Sequence, residues 1–156
     1  MTNDILLKLV QEQLTDYVME WVIPEPNRLD GSLSSEQLLT AATQLKNVDG
    51  FYLVAITGID DGAENNTLEI LYHFCIKVMI VTLRVTLDRN QPTVPSLCTI
   101  FPYASPYERE TGEMFGITFT STPDTSRLFL PDDWTEGVYP LRKDAQLEGV
   151  NDVHDK

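Results

Sequence analysis

Apolar residues recur at helical spacing near the start of the chain. This first stripe comprises Leu6, Val10, Leu14, Tyr17 and Trp21. A repeat of three to four residues predicts an amphipathic helix with Asn3 or Asp4 as its N-cap. Pro24 and Pro26 are expected to end this helix, and Asp30-Gly31 marks a polar linker after it.

A second helical stripe follows the linker. It comprises Leu38, Leu39, Ala42 and Leu45. Ser34 and Gln37 stand three residues apart before this stripe, which is the spacing of a capping box at the start of a helix. Asp49-Gly50 is a turn signal, so the second helix is expected to end before it.

From residue 51 the pattern changes to short runs rich in β-branched and aromatic residues. These runs cover residues 51–57, 68–75, 81–87 and 97–101. They predict four strands of a mainly antiparallel sheet. The last strand is expected near an edge because Pro92 and Pro95 precede it. Residues 76–79 are expected to form a turn, although they include no Gly, Asn or Pro.

Beyond the strands, one short and heavily charged helix is predicted. Ser105 is expected to cap it, Pro106 suits its first position, and Glu108 falls where a capping box needs an acid. The helix is expected to run to Phe115 and to end at Gly116, a residue type that suits the position after a last turn.

Three carboxylates on this helix, Glu108, Glu110 and Glu113, raise the question of an enzymatic site. A glycosidase needs two carboxyl groups about 5–9.5 Å apart across its substrate, and a di-metal site needs a Glu-x-x-His pattern that is absent here. Arg109 lies between the acids and four residues before Glu113, so the two are expected to pair. This arrangement favours a salt-bridged surface or an interface.

The last part of the chain has little helical or alternating pattern. Trp134, Tyr139 and Leu141 are nevertheless costly to leave in water. Two interpretations stay open: the segment lies across another protein, with Trp, Tyr and Arg side chains as anchors, or it wraps the core of its own domain.

Together these elements predict an α+β fold. It comprises N-terminal helices, a mainly antiparallel four-stranded sheet, a short charged helix and an extended C-terminal arm. We expect a globular α+β domain at residues 1–117, an extended interface arm at residues 118–144 and a flexible acidic tail at residues 145–156.

Charge narrows the range of partners. The chain has 24 acidic and 11 basic side chains, a formal net charge of −13. Such a surface repels phosphate backbones and anionic lipids, so no nucleic acid is expected as a partner. The acidity is compatible with a basic protein partner, with an acid-rich proteome or with solubility alone.

Few residues are available as metal ligands. Cys75 and Cys98 have no CxxC spacing, and only His73 and His154 accompany them, which is too few for a typical zinc site or iron–sulfur cluster. Both cysteines are expected to be small buried hydrophobes. The chain shows no secretory signal and no apolar run long enough to span a bilayer, so a soluble, cytoplasmic protein is expected.

Several short segments recur in order and at the spacing of one protein family. They are Glu108-Arg109-Glu110, Met114-Phe115-Gly116-Ile117, Pro123-Asp124, residues 128–130, Asp132-Asp133-Trp134 and Pro140-Leu141-Arg142-Lys143-Asp144. The pattern resembles the 30 kDa (C) subunit family of respiratory complex I. Three segments look closer to the relatives in energy-converting, membrane-bound NiFe hydrogenases of the Ech-like type: Glu113-Met114-Phe115-Gly116, Leu130-Pro131-Asp132-Asp133-Trp134 and Gly137-Val138-Tyr139-Pro140.

The resemblance implies a non-catalytic, cofactor-free structural subunit of a ferredoxin-linked, ion-translocating hydrogenase. The subunit would dock on the hydrogenase-like large subunit near a small iron–sulfur subunit, with the NiFe centre and 4Fe–4S clusters in those partners. It would lie on the cytoplasmic side of the cell membrane, as a peripheral protein held through its partners. No small-molecule substrate, and no catalytic, cofactor or metal residue, is expected in this chain.

The expected subunit interface follows from the same resemblance. It comprises Glu108, Arg109, Glu110, Phe115, Arg127, Trp134, Tyr139, Arg142, Lys143 and Asp144. Three alternatives stay open: the equivalent C subunit of an NADH- or F420H2-type quinone-reducing complex I, an independent acidic binding module, and a stand-alone hydrolase.

Overall fold

The computed structural model describes residues 3–146 and confirms the α+β class. Over this range three α-helices form: α1 (Asn3–Gln13), α2 (Leu38–Lys46) and α3 (Ser105–Phe115). The strands are β1 (Glu20–Glu25), β2 (Arg28–Ser32), β3 (Phe51–Asp60), β4 (Thr67–Ile76), β5 (Met79–Asp88), β6 (Thr93–Pro95) and β7 (Thr118–Thr120). The tail predicted at residues 145–156 lies outside this description beyond Gln146.

Within residues 3–146, five strands form one sheet in the order β1-β2-β5-β4-β3. The pairing of β2 with β5 is parallel and the other pairings are antiparallel. Tyr72, Phe74 and Leu83 point to one face of the sheet and join α1 and α2 in the hydrophobic core. Alternate residues of a strand point to opposite faces, and on the second face Arg84 forms an ion pair with Glu69.

Residues 20–32 form a hairpin that was not predicted, and its two strands join β3, β4 and β5 in the five-stranded sheet. The first helix was expected to reach Trp21, but α1 ends at Gln13 and Trp21 lies in β1. The expected linker at Asp30-Gly31 lies in β2. Trp21 is paired with Gly31, and ring atoms of Trp21 lie 2.7 Å from where a Cβ of Gly31 would be. Trp21, which fits a helical stripe in the sequence, therefore packs on Gly31 of the neighbouring strand.

The predicted strand at residues 97–101 was wrong. There the amide groups of Ile100 and Phe101 both donate to the carbonyl oxygen of Leu97, which closes a tight turn. The extended residues are instead β6, which pairs in parallel with β7. The turn predicted at residues 76–79 is confirmed, and Lys77 takes it with a φ of 57°.

The capping predictions for α2 and α3 are not confirmed, although both helices are. Ser34 makes no capping hydrogen bond, and its hydroxyl contacts Glu36 instead. Ser105 lies inside α3, which follows directly on a 3₁₀ turn at Pro102–Ala104. The end of α3 at Gly116 is confirmed: its φ of 71° lies in the left-handed region that glycine adopts without strain.

Among residues 3–146, no helix has the length and the apolar composition needed to cross a bilayer.

The contact between Trp21 and Gly31 predicts a specific weakness in the hairpin. A Gly31→Val substitution should lower the free energy of unfolding by about 2 kcal/mol, because the new side chain displaces the indole ring from the sheet. Urea unfolding followed by circular dichroism measures the change. Ser32→Val is the matched control on the same strand and should have a much smaller effect; equal losses in the two variants would contradict this explanation.

Candidate docking surface

Charged side chains of the domain hold the segment that follows β7. Residues 118–120 of the predicted arm (118–144) form β7, and from here on we call residues 121–146 the arm. Glu113 on α3 binds one stretch of its backbone: its carboxylate accepts N–H groups from Leu128 at 2.7 Å, Phe129 at 2.8 Å and Leu130 at 2.9 Å. Burial alone would raise the pKa of Glu113, but these three donors lower it below its usual value. The ionised carboxylate of Glu113 therefore binds the arm.

Arg109 binds the preceding stretch of the arm through carbonyl groups. Its Nε donates to the oxygen of Ser126 at 2.8 Å, and its Nη2 donates to that of Arg127 at 2.6 Å. Nη1 lies 3.4 Å from the carboxylate of Asp124. The predicted pairing of Arg109 with Glu113 is therefore wrong, because each side chain binds the arm instead of the other.

The arm also contains its own internal contacts. The guanidinium of Arg127 donates to the carbonyl oxygens of Pro131 and Trp134. The indole Nε1 of Trp134 donates to the carbonyl oxygen of Val138 at 2.8 Å. Two of the predicted interface residues thus fold the arm on itself.

A buried ion pair fixes the far end of the arm to the sheet. Asp60, the last residue of β3, pairs with Arg89 just beyond β5, and both are buried. The second carboxylate oxygen of Asp60 accepts the N–H of Lys143 at 2.7 Å. Arg89 also reaches Asp144, with Nη2 2.6 Å from Oδ1. Asp60 and Arg89, at the ends of two strands, therefore bind residues 143 and 144 of the arm.

The electrostatics of this junction favour the charged forms. Burial alone would raise the pKa of Asp60, but hydrogen bonds from Arg89, Lys143 and Gly62 lower it from 3.8 to about 2. The hydrogen bond with Asp60 in turn raises the pKa of Arg89. A buried charge is costly unless it is paired and hydrogen-bonded, and both conditions hold here.

A third contact joins the arm to the end of α3. The ring of Tyr139 lies so close to Gly116 that a Cβ there would be 2.4 Å away. Arg142 stacks on this ring at 4.8 Å and donates from Nε to the carbonyl oxygen of Phe115 at 2.7 Å. Leu141 donates its N–H to the carbonyl oxygen of Met114 at 3.1 Å. Over the described residues, the arm therefore packs on its own domain.

Glu108 has a different place from its neighbours on α3. It is 1% exposed, and its carboxylate accepts hydrogen bonds from the Ser96 hydroxyl at 2.7 Å and the Leu97 amide at 2.6 Å. The Cys98 thiol lies 3.4 Å away. The buried side chain of Glu108 therefore stabilises the loop after β6 and is not accessible to a partner.

The remaining predicted interface residues are distributed around these anchors. Glu110 and Lys143 have exposed side chains, and Phe115 packs on Gly58 of β3. The sequence interpretation did not include Asp60 or Arg89 in the site. The two are separated by 29 residues, and no local motif connects them.

The structure also shows where groups that bind metals lie. Both cysteines are buried and free. Burial and the nearby Glu108 raise the pKa of Cys98 against the opposing hydrogen bond from Ser96. Within residues 3–146, no three His, Cys, Asp or Glu side chains are grouped so that they could hold a metal ion. The contacts of the arm with the domain therefore form a surface on which another molecule could bind.

Comparison with known proteins identifies the class to which this fold and arm belong. The model of the family described as respiratory-chain NADH dehydrogenase, 30 kDa subunit, matches residues 32–151. The chain belongs to this family, which confirms the resemblance seen in its sequence. The match begins at the last residue of β2, so α1, β1 and most of β2 precede the region that the family model covers.

Individual relatives agree with this assignment. The C subunit of NADH-quinone oxidoreductase from Moorella thermoacetica is 37% identical over 116 residues, covering 73% of this chain and 77% of the relative. The equivalent C subunit from a Roseiflexus species is 40% identical over 104 residues, covering 65% and 58%. A chain of an archaeal membrane-bound sulfane sulfur reductase shares the fold, with a TM-score of 0.79 and 22% identity over 92% of this chain and 85% of that one.

The lowered pKa of Asp60 predicts how stability changes with pH. The ionised carboxylate stabilises the folded chain above the unfolded pKa of 3.8, and this contribution is lost as the pH falls towards about 2. It amounts to about 2 kcal/mol. Urea unfolding at pH 2–7 should show an Asp60→Asn variant to be less stable than the wild type at neutral pH, with the difference shrinking below about pH 4.

The exposed Asp49 is the matched control for this measurement. An Asp49→Asn variant should keep the pH profile of the wild type, because this side chain is exposed and its ion pair with Lys77, at 3.5 Å, lies on the surface. A constant difference between the wild type and Asp60→Asn at all pH values would contradict the assignment.

The contacts of Glu113 predict which amides depend on its charge. In a Glu113→Gln variant an NH2 group replaces one oxygen, so at least one of the three N–H groups loses its acceptor. Hydrogen bonds to charged groups contribute about 1.5–3 kcal/mol, and hydrogen exchange at residues 128–130 should therefore be at least about tenfold faster. Glu110→Gln, an exposed position on the same helix, should leave exchange there unchanged. Slow exchange in both variants would show that the carboxylate does not hold the arm.

Proposed function

We propose that this chain is a non-catalytic, cofactor-free structural subunit of a membrane-bound respiratory complex, and that it docks on the large subunit through its arm. One observation carries the proposal: Glu113, Arg109 and the Asp60–Arg89 pair bind the arm to the domain through contacts within this one chain. A segment that is already ordered loses little conformational entropy on binding. The arm is therefore suited to present a fixed surface to another subunit.

The proposed complex is an energy-converting NiFe hydrogenase, ferredoxin-linked and ion-translocating. Support comes from Glu113-Met114-Phe115-Gly116 and Gly137-Val138-Tyr139-Pro140, which resemble the hydrogenase relatives of the family. The NiFe centre and the 4Fe–4S clusters would then be bound by the large subunit and by a small iron–sulfur subunit. This chain would be held peripherally on the cytoplasmic side of the membrane by those partners.

A specific observation favours a second candidate, the C subunit of a quinone-reducing complex I. The relatives at 37% and 40% identity are both named as the C subunit of NADH-quinone oxidoreductase. The docking role of the arm is the same in both candidates, and they differ in the cofactors and substrates of the partner subunits.

Purification of the assembled complex tests both the role and the type. The affinity-tagged chain should co-purify with a large subunit and an iron–sulfur subunit from detergent-solubilised membranes. Nickel in the complex, measured by elemental analysis, supports the hydrogenase, whereas bound quinone without nickel supports the second candidate. Recovery of the chain as a monomer with no redox subunit would contradict the docking role.

A substitution at the end of the arm tests whether assembly depends on it. Arg142→Ala removes the hydrogen bond to Phe115 and the stacking on Tyr139, so we expect less chain in the purified complex and lower activity, without loss of cofactors from the remaining subunits. Arg28→Ala, which removes a partly buried ion pair with Asp30 in β2, is the control and should assemble normally. Full activity and stoichiometry in the Arg142→Ala complex would contradict the proposal.

A further inference from the structure

The arm exposes two large apolar side chains that its internal contacts do not use. Phe129 is 64% exposed and Leu141 is 56% exposed. Their aromatic neighbours Trp134 and Tyr139 are each partly buried and have partners in this chain, the carbonyl oxygen of Val138 and the ring contact at Gly116. Trp134 and Tyr139, which the sequence predicted as anchors for a partner, thus contact their own chain, whereas Phe129 and Leu141 are exposed to solvent.

We propose that Phe129 and Leu141 are the side chains that anchor the arm in an apolar pocket of the partner subunit, and that the rim of this pocket is basic. The inference rests on the proposed docking function and deepens it, because it names the anchoring residues and the chemistry of the surface that receives them.

Both anchors are fixed to the last turn of one helix. The N–H of Phe129 is bonded to the carboxylate of Glu113 at 2.8 Å, and the N–H of Leu141 is bonded to the carbonyl oxygen of Met114 at 3.1 Å. Glu113 and Met114 are adjacent in α3. Because the backbone of each anchor is fixed before binding, truncation of either side chain removes contact area without releasing the arm. Large apolar side chains on a rigid backbone are typical of binding hot spots.

The charges beside the anchors define the rim of the receiving pocket. Asp132, Asp133 and Glu136 follow Phe129 closely along the arm, and all three are exposed. Glu110 lies beside Leu141 and Met114 at a shallow groove between α3 and β3, and it is exposed as well. Lys143 and Asp144, which follow Leu141, are exposed with opposite charges, so the surplus charge around the anchors is negative. A partner that buries the two apolar side chains therefore brings its own surface against carboxylates. Lys and Arg on that surface provide the complementary charge.

The same charges argue against two other occupants. A second copy of this chain would bring the same acidic surface against itself, since the net charge of each chain is −13. An anionic membrane surface would be repelled for the same reason. A basic, apolar surface on a protein subunit is the occupant that fits both the apolar anchors and the acidic surroundings.

The test uses the complete complex, purified through a tag on the large subunit, with Phe129→Ala, Leu141→Ala and the double variant in this chain. The affinity of each purified variant for the complex depleted of this chain should fall by about tenfold or more. Unfolding of the isolated variants and hydrogen exchange at residues 128 and 130 should match the wild type. Val78→Ala and Met19→Ala, at positions 68% and 75% exposed elsewhere on the surface, should bind as the wild type does.

Charge reversal tests the basic rim separately. Asp132→Lys with Asp133→Lys should weaken binding and make the affinity less dependent on salt concentration. Equal affinity for Phe129→Ala and Val78→Ala would overturn the inference, as would a chain dimer or binding to anionic vesicles that Phe129→Ala abolishes. If the inference about Phe129 and Leu141 fails in one of these ways but Arg142→Ala still does not assemble, the docking role of the arm stands. If no redox subunit co-purifies with the wild-type chain, the docking role itself is overturned.

Discussion

The return of the arm to the domain at residues 143 and 144 depends on one buried ion pair, that of Asp60 with Arg89. The pair joins the end of β3 to the residue after β5, and it offers its remaining oxygen and nitrogen to Lys143 and Asp144. Removal of one partner from such a pair leaves an uncompensated buried charge, at a typical cost of about 3–5 kcal/mol. The pair thus has two roles: it stabilises the edge of the sheet, and it fixes the point where the arm returns to the domain.

The three acids of α3 show how one charged helix serves three environments. Glu108 faces the interior and satisfies the loop after β6, Glu113 faces the arm and binds its amides, and Glu110 faces solvent. With about 3.6 residues per turn, positions 108, 110 and 113 point in different directions. Three carboxylates that look like one cluster in the sequence therefore do not converge on a substrate.

Local patterns predicted α2, α3 and the three long strands β3, β4 and β5, because each of these elements carries its own apolar period. They did not predict the hairpin of β1 and β2, since Trp21 fits a helical stripe and Gly31 reads as a turn until the two are in contact. The arm has no helical or alternating hydrophobic pattern, and the domain residues that bind it lie as far as 83 residues away along the chain. The family signature located most of the arm's contact residues, but only the structure separates those that fold the chain from those left outside, such as Phe129.

Arg109 and Glu113 bind residues 126–130 through main-chain carbonyl and amide groups, and the contact of Arg109 with the Asp124 side chain lies outside this stretch. Every residue except proline carries these same groups. Side chains at positions 126–130 can therefore change over evolution, one partner surface being exchanged for another, while the hold on the backbone persists. Attachment to the domain and the outward-facing surface are thereby carried by different groups of a single short segment.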